Sequence, residues 1–259
     1  MNQQDQCVWL IRALLKDMPE YADTRIPASA DARWRLLRSL MNVRPPMPVS
    51  EAFLRVQDAF LQQMTLEKGV TDASSLSPSE KDPRLFLWQG DITTLRCDAI
   101  VNAANSGMLG CFSPCHGCID NIIHTMAGVQ LRLACADLMR AQGHEEPTGQ
   151  AKITPGFNLP AKYVLHTVGP IVDGPLTKEH ERLLAQCYRS CLKLAKDFGC
   201  ESVAFCCIST GVFCFPPARA AEIAVETVLD ALNQSTPVRQ VIFNVFKDSD
   251  LKIYQKLLA

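Results

Sequence analysis

The sequence predicts an α/β domain on a largely parallel sheet covered by helices on both faces, preceded by a helical extension. Three observations predict it. From Leu85 onward, short apolar runs of strand length alternate with longer stretches of helical spacing. Strands separated in this way are joined by helical crossovers, which favours parallel pairing. Before Leu85 the spacing is helical only, and residues 67–83 are polar and rich in Ser, Pro and Gly.

In chain order, the first helix carries Val8, Ile11, Leu14, Leu15 and Met18 on one face, and Pro19 stops it. Ser29 is the natural N-cap of a second, with Trp34, Leu37, Leu40 and Met41 inward, ending at Arg44-Pro45-Pro46-Met47-Pro48. Ser50 caps a third, carrying Phe53, Val56, Phe60 and Met64. Strands are expected at 85–89, 98–102, 151–154, 163–167, 202–208 and 239–245, and helices at 119–142, 178–197, 217–233 and 249–258. The expected division is a helical extension with linker over 1–83 and the α/β domain over 84–259.

With 259 residues, 47% hydrophobic and 20% charged, the chain has ample material for a core. A net charge of −1 gives no general electrostatic reason to expect a nucleic-acid or membrane partner. The acidic, polar start from Met1 to Gln6 is unlike a signal peptide. Most of the twelve cysteines then read as small core residues in a reducing cytoplasm, with Cys187/Cys191 on a helix and Cys206-Cys207 in a strand as examples. A monomer is the default.

Ligands of open α/β sheets bind at the carboxyl ends of the strands, which selects three loops. Gln89-Gly90-Asp91-Ile92-Thr93 follows the first strand and Asn102-Ala103-Ala104-Asn105-Ser106-Gly107 the second. Ser209-Thr210-Gly211-Val212-Phe213-Cys214 follows the run ending at Ile208, with Pro216-Pro217 opening the next helix. Backbone amides in such a turn can converge on an anion, although Ser-Thr-Gly also simply makes turns. No G-x-G-x-x-G follows a strand, so a dinucleotide site is not supported.

Gly90-Asp91-Ile92-Thr93, Ala99 to Asn105 and Ile208 to Phe213 resemble signature segments of the macrodomain family. Thr148-Gly149-Gln150-Ala151 and Tyr163 to Pro170 resemble two more, in the expected order. The resemblance implies a three-layer α/β/α fold with a mixed sheet, and binding of ADP-ribose. Residue by residue it implies that Asp91 accepts from the adenine amino group, assisted by the Ile92 backbone. It implies that Asn105 contacts the distal ribose and that Ser209, Thr210, Gly211, Val212 and Phe213 wrap the diphosphate. Phe246 is a candidate for stacking on adenine, or else a core aromatic.

Between the second strand and the next helix, Cys111, Cys115, His116 and Cys118 form the densest group of soft ligands in the chain. Thiolate with imidazole suits zinc, while core cysteines or a redox pair are the plainer readings. The run Gly110 to Asn121 also resembles the zinc-dependent macrodomain subfamily, as do Asn42 to Pro46 and Gln57-Asp58 in the extension. That resemblance implies Zn²⁺ on Cys111, His116 and Cys118, with Cys115 at a variable position. Three protein ligands leave a position open for water or substrate. Asp120 matches the catalytic acid position, where it would orient or deprotonate water. Ile119 and Asp120 amides, with Cys118 beside them, would reach the diphosphate. His124 shares a helix face with Asp120 and reads chiefly as a packed histidine. His166 ends a strand and reads as structural, while His144 and His180 read as solvated.

The expected activity is zinc-dependent removal of mono-ADP-ribose from modified proteins by hydrolysis at the distal ribose. Alternatives are a non-catalytic ADP-ribose reader and an O-acetyl-ADP-ribose deacetylase. The subfamily resemblance also implies a sirtuin-type ADP-ribosyltransferase in the same pathway.

Overall fold

The structure is a computed structural model describing residues 1–259. Helix α1 (Gln3–Asp17) is capped by the Asn2 side chain accepting from the Asp5 amide, and it ends before Pro19. Helix α2 (Ala30–Val43) starts at Ser29, whose hydroxyl accepts from the Ala32 amide. Helix α3 (Glu51–Lys68) starts at Ser50, which caps the Phe53 amide. Both serines therefore satisfy orphan donors of the first turn, each cap worth about 1 kcal/mol. The inward faces of these helices make a core of their own, including Leu10, Ile11, Leu14, Leu37 and Leu61, closed by Val129 from the rest of the chain. Burying each such side chain contributes about 1.5–3 kcal/mol.

The chain then runs through β1 (Thr71–Asp72), β2 (Leu85–Gln89), β3 (Leu95–Arg96) and β4 (Ala99–Ala104) into α4 (Ile119–Ala127) and α5 (Val129–Gln142). Strands β5 (Ala151–Pro155) and β6 (Tyr163–Val168) precede α6 (Lys178–Asp197), and β7 (Ser202–Phe205) precedes α7 (Pro217–Leu232). Strand β8 (Gln240–Val245) and α8 (Asp248–Leu258) close the chain. The main sheet has the order β2-β8-β7-β4-β6-β5, parallel throughout except for the antiparallel pair β5–β6 at one edge. Helices α6, α7 and α8 pack side by side, α4 and α5 form another layer, and α2 and α3 dock against α4. The expected mixed α/β/α architecture is therefore present, with β4 in the interior of the sheet and buried along almost its whole length.

Three local expectations need correction. The single helix expected over 119–142 is two, because Gly128 adopts φ 97° between them. A side chain there would be strained and would meet Gln130 and Gln57 at 2.5 and 2.6 Å. The expected strand 202–208 stops at Phe205, so Cys206 and Cys207 lie in the turn leading to Ser209. The linker is not wholly irregular, since Thr71 and Asp72 pair in parallel with Leu95 and Arg96.

Trp34 and Met64 of the extension pack against the main core, and polar contacts add to the join. Gln57 accepts from the Val129 amide at 3.0 Å and donates to Gln130 at 2.7 Å, and Asn158 donates to Asp58 at 2.7 Å. Buried Arg132 of α5 donates to the Met41, Asn42 and Arg44 carbonyls, at 3.2, 2.7 and 2.5 Å. These carbonyls end α2, so a cation sits at the negative end of the helix dipole.

Candidate active site

The loops after β2, β4 and β7 emerge at the same edge of the parallel sheet. Between β4 and α4 the chain makes a long excursion carrying Cys111, Cys115, His116 and Cys118. Cys118 is the N-cap of α4, its sulfur accepting from the Asn121 amide at 3.4 Å. Asp120 therefore stands in the first turn and points inward, 4% exposed.

Two asparagines hold that carboxyl. Asn102 of β4 donates to Oδ1 at 2.8 Å and Asn105 to Oδ2 at 3.3 Å. Burial pushes Asp120 up to about 6, against the pull of the Asn102 hydrogen bond and the Arg132 charge. His124 Nε2 lies 3.5 Å from Oδ1, and neither ring nitrogen has a hydrogen-bond partner. Burial, reinforced by His166 and Arg132, holds His124 well below the usual imidazole range. The pair is thus a carboxyl beside a neutral imidazole, not an ion pair. Gly110, at φ 79°, passes over that ring, and a side chain there would lie 2.8 Å from it.

His166 lies inside β6 rather than at its end, fully buried. Its Nδ1 is 3.1 Å from Asn102 Nδ2 and its Nε2 2.9 Å from Thr154 Oγ1. Because the amide can only donate, Nδ1 accepts and Nε2 carries the proton toward Thr154. The ring so bonded is held neutral, its pKa lowered to about 3 by burial.

Two groups of side chains could hold a metal ion. Cys111, His116 and Cys118 offer two sulfurs and a nitrogen within 4.8 Å of one another, half-buried or exposed. The Cys111 sulfur is 3.7 Å from His116 Nδ1. The second group, His124, Cys135 and His166, also has its donor atoms within 4.8 Å of one another and is wholly buried. Cys115 belongs to neither: its sulfur turns toward α2, 3.3 Å from Ser39 Oγ and 3.3 Å from the Arg35 carbonyl.

Elsewhere along the edge, Ser209 takes φ 65° and its buried hydroxyl has no partner. Such a backbone is uncommon for a residue other than glycine. Gly211 and Val212 are exposed at the tip of this turn and Thr210 and Phe213 are half-buried. Asp91 caps the short turn Ile92–Thr94, accepting from the Thr93 amide at 3.0 Å and hydroxyl at 2.6 Å. Its other oxygen pairs with Lys68 of α3 at 3.0 Å. Burial raises this carboxyl, but the Thr93 hydrogen bonds and the Lys68 charge outweigh it and hold Asp91 below its ordinary value. Phe246 is 76% exposed, so it is not a core aromatic. His144 is exposed, and His180 forms a capping box with Thr177.

Asn102, Lys68 and Arg132 are the contributors that sequence reasoning did not single out. Asn102 lay within a recognised segment; the other two carry no local signal.

Residues 101–224 match the family described as Macro domain. The protein-ADP-ribose hydrolase of Treponema medium is 55% identical over 261 residues, covering 100% of both chains. A probable bifunctional ADP-ribose hydrolase/ADP-ribosyltransferase of Fusarium oxysporum f. sp. cubense is 46% identical over 242 residues, covering 86% of this chain and 40% of that longer one. Among solved structures, the Trypanosoma brucei macrodomain in complex with ADP-ribose is similar at TM-score 0.67 and 30% identity, covering 86% of this chain and 95% of that one.

Proposed function

This chain belongs to the macrodomain family of protein-ADP-ribose hydrolases, and on that premise we propose that it releases mono-ADP-ribose from protein side chains with Asp120 at the reacting bond and zinc on Cys111, His116 and Cys118. The observation that carries the proposal is a buried carboxyl, held by two asparagines, two residues from a compact cluster of thiols and imidazole.

In the proposed reaction, water adds its hydroxyl to the anomeric carbon of the distal ribose. The bond from that carbon to the acceptor side chain breaks, and the acceptor leaves with the proton. Asp120, fixed by Asn102 and Asn105, orients the water and takes up its proton in transit. Asn105 also meets the distal ribose hydroxyls, so one side chain would register the sugar against the carboxyl. The Ser209 to Phe213 turn, with Ile119 and Asp120 amides opposite, would hold the diphosphate, and the unpartnered Ser209 hydroxyl supports a polar ligand there. Asp91 and the Ile92 backbone would read the adenine amino group, Asp91 then being shared with Lys68.

The loop cluster fits zinc by donor type, by compactness and by accessibility. The buried cluster fits less well, because both His166 nitrogens are already engaged. When bound there, zinc would supply Lewis-acid chemistry.

Residues 1–83 would serve as an extension bracing a catalytic macrodomain over 84–259. Twelve free thiols support a cytoplasmic setting, and no helix is long and apolar enough to cross a membrane. A sirtuin-type transferase would supply the modified protein, a pairing supported by the two activities named together in the Fusarium relative. A time course on a mono-ADP-ribosylated protein tests the reading. Asp120→Ala should lower turnover by about 10²–10⁴-fold while ADP-ribose still binds. Undiminished release by that variant would remove Asp120 from the mechanism.

A further inference from the structure

We infer that helix α2 of the N-terminal extension is part of the metal site, with Arg38 and Asn42 as positioning residues that hold the cysteine–histidine loop in its ligating shape. The inference rests on the assignment of the metal to Cys111, His116 and Cys118. All three ligands lie on a stretch without regular structure until Cys118 caps α4. Such a segment needs outside contacts to stay in one conformation.

Arg38 supplies the first. Its Nη2 donates to the His116 carbonyl at 2.7 Å and to Asn121 Oδ1 at 2.7 Å, while Nε reaches the same oxygen at 3.2 Å. The Asn121 amide nitrogen passes the constraint on, donating to the Ser113 carbonyl at 2.9 Å and the Cys111 carbonyl at 3.4 Å. One planar guanidinium therefore fixes the backbone at two of the three ligands, a task that needs its fork of donors.

Asn42 supplies the second. Its Oδ1 accepts from the Cys115 amide at 2.9 Å, and its Nδ2 donates to Thr125 of α4 at 3.0 Å. Cys115 takes a left-handed backbone, φ 53°, a conformation that costs energy for a residue other than glycine and persists where its surroundings hold it. In that shape its thiol turns back on Ser39 and Arg35 of α2. The helix thus decides which of the four soft ligands face the metal and which one does not. Arg132 anchors the arrangement, bonding the end of α2 while its guanidinium covers the Phe112 ring at 4.1 Å.

Partners that orient metal ligands in this way typically change affinity by 10–100-fold when removed. Zinc-loaded, full-length protein is mixed with excess chromogenic chelator and the rate of zinc transfer is followed. Arg38→Ala and Asn42→Ala should release zinc about 10–100-fold faster than wild type. Arg38→Lys, which keeps the charge and loses the fork, should fall on the fast side. Arg84→Ala is the control, since Arg84 bonds Asp82 and the Leu232 carbonyl, away from the loop. It should lower thermal stability with zinc release unchanged. Wild-type release rates in folded Arg38→Ala and Asn42→Ala, or equal acceleration in Arg84→Ala, would overturn the inference. A wild-type protein that takes up no zinc at all would overturn the metal assignment beneath it, and the two failures are told apart by the wild-type arm.

Discussion

Two clusters of cysteine and histidine stand on either side of Gly110, each with its donor atoms within 4.8 Å of one another. Cys111, His116 and Cys118 lie in the loop; His124, Cys135 and His166 lie beneath it among α4, α5 and β6. What separates them is exposure and the engagement of His166. The loop cluster is open to water, with its backbone held by α2 and its donor atoms turned toward one another. In the buried cluster His166 already accepts from Asn102 and donates to Thr154. The proposed assignment to the loop therefore rests on access to solvent and on the prior engagement of His166, not on proximity alone. The two buried imidazoles also stand behind Asn102 and Asp120, next to the carboxyl.

The largest expected effect sharpens this contrast through acid. His166 is held neutral when folded, its pKa lowered from 6.5 to about 3, and His124 is shifted in the same direction. The unfolded chain binds those protons first. The His166 contribution is thus complete above pH 6.5 and is lost progressively as pH falls toward 3, by up to about 1.4 kcal/mol per pH unit, and His124 adds in the same direction. Asp120, pushed up to about 6, gains its proton earlier in the folded state and offsets part of the loss. Urea unfolding at pH 7.5 and pH 5 should show the decline, and His166→Gln should flatten it. Equal slopes in the two proteins would mean that His166 is not held neutral.

A smaller effect probes the loop itself. Cys115→Ser keeps a hydrogen-bonding group near the Arg35 carbonyl and removes only a thiol that faces away from the cluster. Zinc content should stay at the wild-type level and stability within about 0.5 kcal/mol. Loss of half or more of the metal would make Cys115 a ligand and would reopen the assignment.

The contrast also marks what the sequence made legible. The six strands of the main sheet, both serine caps and the cysteine–histidine loop are written in local patterns: apolar runs, capping residues, and soft ligands within eight positions. The break at Gly128 is not, because helical spacing continues across it and only the packing of Gln57 and Gln130 shows why the chain turns there. Lys68 on Asp91 and Arg38 on Asn121 join residues 23 and 83 positions apart, and nothing in either segment alone announces the partner. Phe246 was ambiguous for a related reason. An aromatic after a buried strand packs inward or outward according to the turn that follows, and here it faces solvent.

The most direct test compares Cys118→Ala with Cys135→Ala, measuring zinc per chain and release of ADP-ribose from a mono-ADP-ribosylated protein on the same samples. The account predicts that Cys118→Ala loses the metal and most turnover, while Cys135→Ala keeps both and loses only about 1 kcal/mol of stability. Zinc and turnover that survive in Cys118→Ala but vanish in Cys135→Ala would place the working metal in the buried cluster and contradict it.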